Sequence, residues 1–357
     1  MDKTALIAMS GGVDSSVAAY LTQQQGYSCL GATMKLFGEV PEAGTPLEHS
    51  CCTSKDIEDA RSIAQRLNMP YYVYNFAADF GKQVIDRFVE AYVHGRTPNP
   101  CIDCNRYLKF GQLFKKAQEL GCDYVVTGHY AQVAYDEGSS RYQLLKAVDP
   151  IKDQSYFLYS LTQEQLAHIL FPLGGLSKTQ VREIAQEQGF ITAEKKDSQD
   201  ICFVDGSYID FIEQRTGRKF PPGKFVTKEG QVLGKHKGII RYTIGQRKGL
   251  GLALPEPMYV QSINPHNNTV VLTNNAGLFT KTITAKNINL IACDAITAPL
   301  RLKAKIRYRH QEEWAIVSQP EQDTLIIEFD QPQRAITKGQ AVVLYDDNIV
   351  VGGGTIV

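Results

Sequence analysis

The stretch that most constrains this chain is the heptad Ser10–Ser16, SGGVDSS, which lies between an apolar run and a helical segment. Residues 4–9 have the composition of a buried strand, and residues 17–21 that of a helix. The two glycines let the backbone approach a ligand, while the helix start offers N–H donors and the positive end of its dipole. No lysine follows the glycines, so the loop is not a Walker motif. It is suited to hold a pyrophosphate by backbone donors and hydroxyls, the alternative being an ordinary strand-to-helix turn.

The heptad also carries a carboxylate, and it resembles a known nucleotide-binding loop. Asp14 can hold Mg²⁺, which prefers carboxylate and phosphate oxygens. The sequence resembles the PP-loop of the N-type ATP pyrophosphatases. That resemblance implies cleavage of ATP between its α and β phosphates and transfer of AMP to a substrate oxygen.

Composition places the chain among ordinary globular proteins. Its 357 residues suggest two or three domains, and its formal net charge of zero means that any polyanion must be bound by local basic patches. Eight cysteines in a chain of this length do not form a disulfide framework, so a reducing cytoplasm is expected. We find no signal peptide and no apolar run of transmembrane length, and we expect no membrane contact.

Alternating strand-like and helix-like segments predict an α/β fold at the N-terminus. The pattern is typical of a doubly wound parallel sheet with helices on both faces. Helical spacing is seen in residues 54–67, 79–93, 106–120 and 155–189. The pairs Thr162/Gln165 and Ser177/Gln180 match the capping box.

The second half of the chain has a different character, because short β-rich runs between Gly, Pro and Asn turns replace the helical periodicity. We therefore expect a catalytic domain over 1–205, a small mostly β central domain over 206–280, and a C-terminal β-barrel over 281–357. No repeat is evident.

Ligands in parallel sheets bind beyond the carboxyl ends of the strands. The loops after Met9, Met34 and Val126 should meet at that edge. The predicted ATP-binding residues are Ala8, Met9, Ser10, Gly11, Gly12, Val13, Asp14, Ser15, Met34 and Gly128.

Three cysteines stand out from the other five. Cys101 and Cys104 are three residues apart in a proline-fixed loop before a helix-like stretch, where a thiol has a lowered pKa and is more nucleophilic. Cys202 lies far downstream, at the end of the α/β part. The remaining cysteines are interpreted as small, mostly buried hydrophobic residues: Cys29, Cys51, Cys52, Cys122 and Cys293.

These motifs, in this order, resemble the tRNA-specific 2-thiouridylases. The similarity covers the α/β part and continues into the β-rich half. Its segments are residues 10–16, Arg96–Pro100, Cys104–Asn105, Thr127–Tyr130, Lys152–Ser155, Asp197–Phe203, Gly245–Gly249 and Arg307–Arg309.

The resemblance implies a reaction and its residues. ATP would adenylate the C2 oxygen of the wobble uridine in tRNAs of the Lys, Glu and Gln type. A persulfide on Cys202 would supply sulfur, and Cys104 would attack as nucleophile and leave a transient Cys104–Cys202 disulfide. A persulfide is a reversible sulfur carrier, and a second thiolate releases its outer sulfur. A sulfur-donor protein, a cysteine desulfurase or a relay, must load it.

One position departs from the family pattern. Many members have an acid/base aspartate three residues before the upstream cysteine, whereas this chain has Cys101 there, and Asp103 lies on a different side. Cys101, Cys104 and Cys202 could instead hold a 4Fe–4S cluster whose open iron carries the sulfide. The persulfide interpretation is preferred, with the cluster as its alternative.

Basic segments predict an RNA surface. Residues 218–248 contain nine Lys or Arg and one acidic residue. Arg301, Lys303, Lys305, Arg307 and Arg309 recur every second residue, which on a strand places all five on one face. The resemblance implies contacts of Asn99, Pro100 and Cys101 with the flipped target base. It also implies tRNA contacts by His129, Lys152, Asp153, Gln154, Arg307, Tyr308 and Gln340.

Two other functions remain open from sequence. Another PP-loop tRNA ligase would need no cysteine, and a non-catalytic tRNA-binding protein would need no ATP cleavage. We expect a monomer.

Overall fold

The computed structural model describes residues 3–37, 53–196 and 201–357. They form two compact units, each of which is described by itself. The first unit comprises residues 1–85, 100–205 and 347–351, and the second comprises residues 86–99, 206–346 and 352–357.

The first unit is built on strands that alternate with helices. The strands are β1 (Thr4–Ala8), β2 (Ser28–Lys35), β3 (Tyr71–Asn75), β4 (Tyr124–Val126), β5 (Gln132–Asp136), β6 (Arg141–Leu145) and β7 (Ile169–Leu170). Five of them form a parallel sheet in the order β3-β2-β1-β4-β7. Since β2 and β4 lie on opposite sides of β1, the carboxyl ends of β1 and β4 flank a topological switch point, where such sheets bind ligands. The predicted doubly wound sheet is confirmed.

Helices cover this sheet and continue into the second unit. Their bounds are α1 (Val13–Gln24), α2 (Ser54–Arg66), α3 (Ala77–Phe80), α4 (Asp86–Val93), α5 (Pro100–Asp103), α6 (Leu113–Glu119), α7 (Gln163–Ala167), α8 (Lys178–Glu187) and α9 (Tyr208–Thr216). π-Helical segments at Gly81–Ile85 and Cys104–Gln112 join α3 to α4 and α5 to α6. Both predicted capping boxes are present, at Thr162 and at Ser177.

The core of the first unit lies between β1 and the helices. Ala5, Leu6 and Ile7 of β1 have no exposed surface, and Val17 and Ala18 of α1 are equally buried. Full burial of a side chain such as Leu or Ile contributes about 1.5–3 kcal/mol each. The strand and helix on either side of the heptad are therefore held firmly in place.

Some sequence predictions are wrong in detail. Residues 155–189 do not form continuous helix, because a 3₁₀ turn at Ser155–Leu158, then α7 and the strand β7 precede α8. The helix predicted from residue 106 begins at Pro100, since proline is favoured at a first helical position. The antiparallel hairpin of β5 and β6 was not anticipated.

The second unit is largely β. Its strands are β8 (Gly223–Val226), β9 (Val232–His236), β10 (Tyr259–Asn264), β11 (Thr269–Thr273), β12 (Phe279–Leu290), β13 (Leu300–Lys305), β14 (Glu313–Glu321), β15 (Thr324–Arg334), β16 (Ala341–Asp346) and β17 (Ile349–Ile356). A four-stranded sheet has the order β10-β11-β8-β9, and the later strands run β12-β15-β14-β13-β16-β17. Pairing of β12 with β17, from Ala285↔Ile356 to Leu290↔Gly352, closes a six-stranded barrel. The predicted β-barrel is confirmed, whereas α9 was missed.

The basic strand is shorter than predicted. β13 ends at Lys305, so Arg307 and Arg309 lie beyond it and the single five-residue face is wrong. Within the strand the alternation holds, because Leu302 and Ala304 are buried while Arg301 is exposed. In the described ranges, with their gaps at 38–52 and 197–200, no helix is long and apolar enough to cross a membrane.

Candidate active site

The heptad forms a cradle between the end of β1 and the start of α1. Gly11 has φ +70°, and a Cβ there would lie 2.2 Å from the carbonyl oxygen of Asp56, so only glycine fits. Gly12 is the N-cap of α1 and has no side chain with which to cap the first N–H groups. Ser15 Oγ accepts a hydrogen bond from the Ser10 backbone N–H at 3.2 Å. The helix start therefore presents N–H donors suited to an anion.

The other predicted nucleotide residues lie at the same edge of the sheet. A Cβ on Gly128 would lie 2.7 Å from the carbonyl carbon of Asp14 and 2.9 Å from the Ser15 nitrogen. The end of β4 thus touches the cradle. Met34, near the end of β2, is buried, and its neighbour Thr33 donates a hydrogen bond to the Met9 carbonyl at 2.6 Å. The structure brings these residues together; their contact with ATP stays a prediction.

A lysine from a distant part of the chain reaches the cradle. Lys178 Nζ lies 2.7 Å from Asp14 Oδ1 and 2.8 Å from Asp14 Oδ2. The Tyr130 hydroxyl donates to Asp14 Oδ1 at 2.8 Å. We did not identify Lys178 from the sequence. The signal available was its position directly after the capping-box residue Ser177, at a helix start.

The same contacts bear on Mg²⁺. An ammonium group engages both oxygens of Asp14, so its charge is already neutralised and its lone pairs already face hydrogen-bond donors. As arranged, Asp14 does not fit the role of a magnesium ligand, and no step is derived through that ion.

A second lysine, Lys195, supports the cradle through a hydrogen bond from its side chain to the backbone of the cradle. Lys195 Nζ donates to the carbonyl oxygen of Gly11 at 2.9 Å and pairs with Asp56 at 2.6 Å and Asp59 at 2.8 Å. Burial lowers the pKa of Lys195, but the bonds to the two carboxylates outweigh that effect and the pKa is raised. Asp56 also completes the capping box of α2 with Thr53. This network, too, was missed from sequence because its members are far apart along the chain.

The upstream cysteines are helical rather than in a loop. Pro100 starts α5, Cys101 is exposed on it, and Cys104 is half-buried where the π-helical segment begins. Residues three apart on a helix share a face, so Cys101 and Cys104 are neighbours. π-Helical turns occur frequently at functional sites.

Cys202 is half-buried and follows residues 197–200, which lie outside the described residues. Its neighbour Phe203 packs edge-on against Phe80, with ring centroids 5.7 Å apart. The π-helical segment that begins directly after Phe80 contacts both α5 and the segment that starts at Cys104. The neighbour of Cys202 and the segment that starts at Cys104 are thus linked through the packing of Phe80 and of the turn that follows it.

The iron–sulfur alternative lacks a gathered ligand set. Among the residues that the structure describes, no three His, Cys, Asp or Glu side chains are placed to hold a metal ion. Cys101, Cys104 and Cys202 therefore do not fit a cluster in this arrangement.

Two of the remaining cysteines have the properties of packing residues. Burial raises the pKa of Cys29 to about 11 and also raises that of Cys122. A thiol with a raised pKa is a poor nucleophile at neutral pH. Cys293 is half-buried, and Cys51 and Cys52 lie outside the described residues.

His129, for which the resemblance implies a tRNA contact, is buried. Its Nδ1 lies 2.7 Å from Thr127 Oγ1 and its Nε2 lies 3.4 Å from Lys109 Nζ. Burial, with the nearby Lys109 charge, lowers the pKa of His129 well below its usual value, so the ring is neutral. Lys109 can only donate, which makes Nε2 the acceptor and leaves the proton on Nδ1.

The loop at residues 152–154 is held by its own polar groups. Asp153 is buried and accepts hydrogen bonds from the backbone of Ala147 and from Ser155. Gln154 Oε1 accepts from the Tyr130 backbone N–H at 3.0 Å, whereas Lys152 is half-buried. Asp153 therefore fixes its own loop, and Gln154 joins that loop to Tyr130, in the segment that follows β4.

Three further residues for which tRNA contacts are predicted lie in the second unit. Gln340 Nε2 donates to the carbonyl oxygens of Thr97 and Pro98, at 2.8 and 3.2 Å. Arg307 donates to the Arg334 carbonyl at 2.8 Å, and Tyr308 lies under Lys305, with Nζ 5.7 Å from the ring centroid. Gln340 thereby fixes the segment that leads to Asn99.

A parallel sheet with a glycine–serine cradle at its switch point places the first unit in the PP-loop class of α/β domains. Family models cover nearly the whole chain: the tRNA methyl transferase HUP domain matches residues 3–206. The tRNA methyl transferase PRC-barrel domain matches residues 209–274, and the aminomethyltransferase beta-barrel domain matches residues 280–356.

Curated relatives carry a more specific name. The tRNA-specific 2-thiouridylase MnmA of Clostridioides difficile is 51% identical over 357 residues, covering 100% of this chain and 98% of the relative. That of Acetivibrio thermocellus is 51% identical over 355 residues, covering 99% of each chain. The chain belongs to the family of tRNA-specific 2-thiouridylases. The family-model descriptions mention methyl transfer, but identity at this level over the full length favours the thiouridylase name.

Proposed function

We propose that this chain catalyses ATP-dependent 2-thiolation of the wobble uridine of tRNAs of the Lys, Glu and Gln type. The observation that carries the proposal is the cradle at the switch point of β1 and β4, in a chain 51% identical over its whole length to a named 2-thiouridylase. The reaction also requires a sulfur-donor protein and a reducing compartment such as the cytoplasm.

The first step activates the base. A uracil C2 oxygen is a poor leaving group, so it attacks the α-phosphorus of ATP, pyrophosphate departs, and the C2 oxygen carries AMP. The cradle serves this step by donating backbone N–H groups to phosphate oxygens whose negative charge increases as pyrophosphate leaves. Gly11 and Gly128 keep the backbone close enough for those bonds.

The second step replaces oxygen by sulfur. The outer sulfur of a Cys202 persulfide attacks C2, and AMP leaves with the former C2 oxygen. The Cys104 thiolate then attacks the Cys202 sulfur, which releases the 2-thio group and forms a Cys104–Cys202 disulfide. An external thiol reductant must return both cysteines to thiols. Each cysteine is half-buried, and the chain next to Cys202 packs on Phe80, whose following turn contacts the segment that starts at Cys104, which supports their cooperation.

The tRNA contacts are proposed for residues at two places. In the first unit they are His129 and the loop at 152–154; in the second they are Arg307, Tyr308 and Gln340. His129 and Asp153 are buried, so we propose that they act by shaping the surface, with half-buried Lys152 and Gln154 nearer the RNA. The target base, proposed to meet Asn99, Pro100 and Cys101, must leave its stack to reach the cradle.

The experiment is mass spectrometry of nucleosides from unmodified tRNA after incubation with the chain, ATP, Mg²⁺ and a persulfide-generating cysteine desulfurase. We expect 2-thiouridine at the wobble position, formed only with ATP. Cys104→Ser and Cys202→Ser should each abolish it while tRNA-dependent pyrophosphate release continues. Cys122→Ser, which changes a thiol whose pKa is raised by burial, is the matched control and should keep activity. Thiolation by the Cys104→Ser/Cys202→Ser double variant would contradict the proposal.

A further inference from the structure

The cradle has no cationic side chain among its own residues, but a lysine that is distant in sequence lies beside it. The heptad contains no Lys or Arg. Lys178, 164 residues downstream of Asp14, places its ammonium on both carboxylate oxygens, at 2.7 and 2.8 Å. The same ammonium lies 5.8 Å from the centroid of the Tyr130 ring. A positive charge is therefore held beside the loop that the proposed reaction fills with phosphates.

The backbone of Lys178 is fixed by the fold. It is the first residue of α8, whose N-cap Ser177 forms a capping box with Gln180. The Lys178 backbone N–H donates to Asp149 Oδ2 at 3.0 Å, and α8 packs against α1, the helix of the cradle. A residue on a rigid helix start can present its side chain with little loss of conformational freedom.

The side chain of Lys178 is only 12% exposed, and that of Asp14 is 31% exposed. An exposed surface pair would contribute little and could be formed anywhere on the molecule. This pair instead stands at the end of β1, where Tyr130 gives Asp14 Oδ1 a further hydrogen bond at 2.8 Å. Lys178 and Tyr130, which come from separate segments, thus converge on the Asp14 carboxylate at the switch point.

We infer that Lys178 is the phosphate-binding cation of the cradle, and that Asp14 is the positioning residue that holds its ammonium there rather than a magnesium ligand. This inference rests on the proposed function for the identity of the anion, the phosphate chain of ATP. The Lys178 ammonium donates N–H bonds to non-bridging oxygens and offsets the charge that gathers on the departing pyrophosphate. No proton is transferred in this role.

The test measures ATP binding by calorimetry on the full chain without tRNA, once in EDTA and once with Mg²⁺. Lys178→Met should weaken ATP binding about tenfold or more in both buffers. Lys178→Arg should recover part of the loss. Lys115→Met, at an exposed lysine on α6 of the same unit, is the control and should leave binding unchanged. ATP affinity unaffected by Lys178→Met would overturn the inference.

The role of Asp14 is tested by a double-variant cycle. If Asp14 acts through Lys178, the Asp14→Asn/Lys178→Met variant binds ATP no more weakly than Lys178→Met alone. If Asp14 holds a metal, the two effects add, and Asp14→Asn weakens binding of Mn²⁺ observed by electron paramagnetic resonance. Additive losses with weakened Mn²⁺ binding would overturn the positioning role.

The wild-type chain gives a measurement that does not depend on variants folding. Mass spectrometry of lysine acetylation should show that ATP slows modification of Lys178 and not of Lys115. The inference would be contradicted if ATP slowed acetylation equally at Lys178 and Lys115, or did not slow it at Lys178. Failure of thiolation with ATP protection of Lys178 intact would refute the proposed function and leave this inference standing.

Discussion

The cradle and the cysteine helix differ in how each is held. The cradle is surrounded by short polar contacts: Lys195 fixes the Gly11 carbonyl, Lys178 and Tyr130 fix Asp14. The cysteine helix presents thiols of unequal exposure, with Cys101 exposed and Cys104 half-buried. The cradle is thus held by a network of polar contacts, whereas the cysteine helix leaves one of its two thiols exposed; the proposed function would use the cradle for phosphate and the helix for thiol chemistry.

The largest effect is expected when Gly11 of the cradle is replaced. Gly11→Ala would place a Cβ 2.2 Å from the Asp56 carbonyl in a backbone conformation with φ +70°. We expect a loss of about 2–4 kcal/mol in the free energy of unfolding, measured with urea, together with loss of ATP binding. Gly175→Ala is the control, because nothing lies within 4 Å of a Cβ there. Equal stability of the two variants would show that the cradle is not tightly held.

Thiol alkylation tests the accessible half. Since burial raises the pKa of Cys29 from 9.0 to about 11, its thiolate fraction at pH 8 falls about 100-fold. We expect iodoacetamide to modify exposed Cys101 at least about 100-fold faster than Cys29 in the folded chain, followed by peptide mass spectrometry. Rates should converge in urea. Faster modification of Cys29 would remove the distinction between reactive and packing cysteines.

Replacement of Lys195 should have a smaller effect on the stability of the cradle. Lys195→Met leaves Asp56 and Asp59 without their ammonium and frees the Gly11 carbonyl. Because Lys195 remains 31% exposed, we expect a loss of about 1–3 kcal/mol in the free energy of unfolding. Lys196→Met, at the exposed neighbouring residue, should change stability little. An unchanged unfolding midpoint for Lys195→Met would mean that this network is dispensable.

The smallest expected effect is a pH dependence at the end of β4. Burial lowers the pKa of His129 in the folded state, so below about pH 6.5 only the unfolded chain gains this proton. The free energy of unfolding therefore decreases as the pH is lowered. On lowering the pH from 7.5 to about 5.8, His129 should account for a loss of about 1 kcal/mol in the free energy of unfolding.

His129→Gln should therefore lose less stability than the wild type over that pH interval, by urea unfolding at each pH. His236 and His310 also have lowered pKa values and contribute with the same sign in both chains. Only the difference between the chains reports on His129. Identical losses would show that His129 titrates normally.

Local patterns predicted the first strand, the heptad and the first helix, because apolar runs, glycines and capping residues act within a few positions. The helix start at Pro100 was misplaced since prolines are compatible with both a loop and a first helical turn. Lys178 and Lys195 could not be assigned from sequence, because tertiary packing brings them to their partners. Asp14 lies 164 residues from Lys178, and the partners of Lys195 lie 136 to 184 residues from it. Isolated lysines carry no local signal of such pairing.

The central claim is that the C2 oxygen of uridine is transferred to AMP. An anticodon stem-loop carrying ¹⁸O at C2 of the wobble uridine, incubated with the chain, ATP, Mg²⁺ and a persulfide source, tests it by mass spectrometry of the nucleotide products. We expect one ¹⁸O in AMP for each 2-thiouridine formed. Unlabelled AMP alongside 2-thiouridine, or label in another phosphate product, would contradict the account.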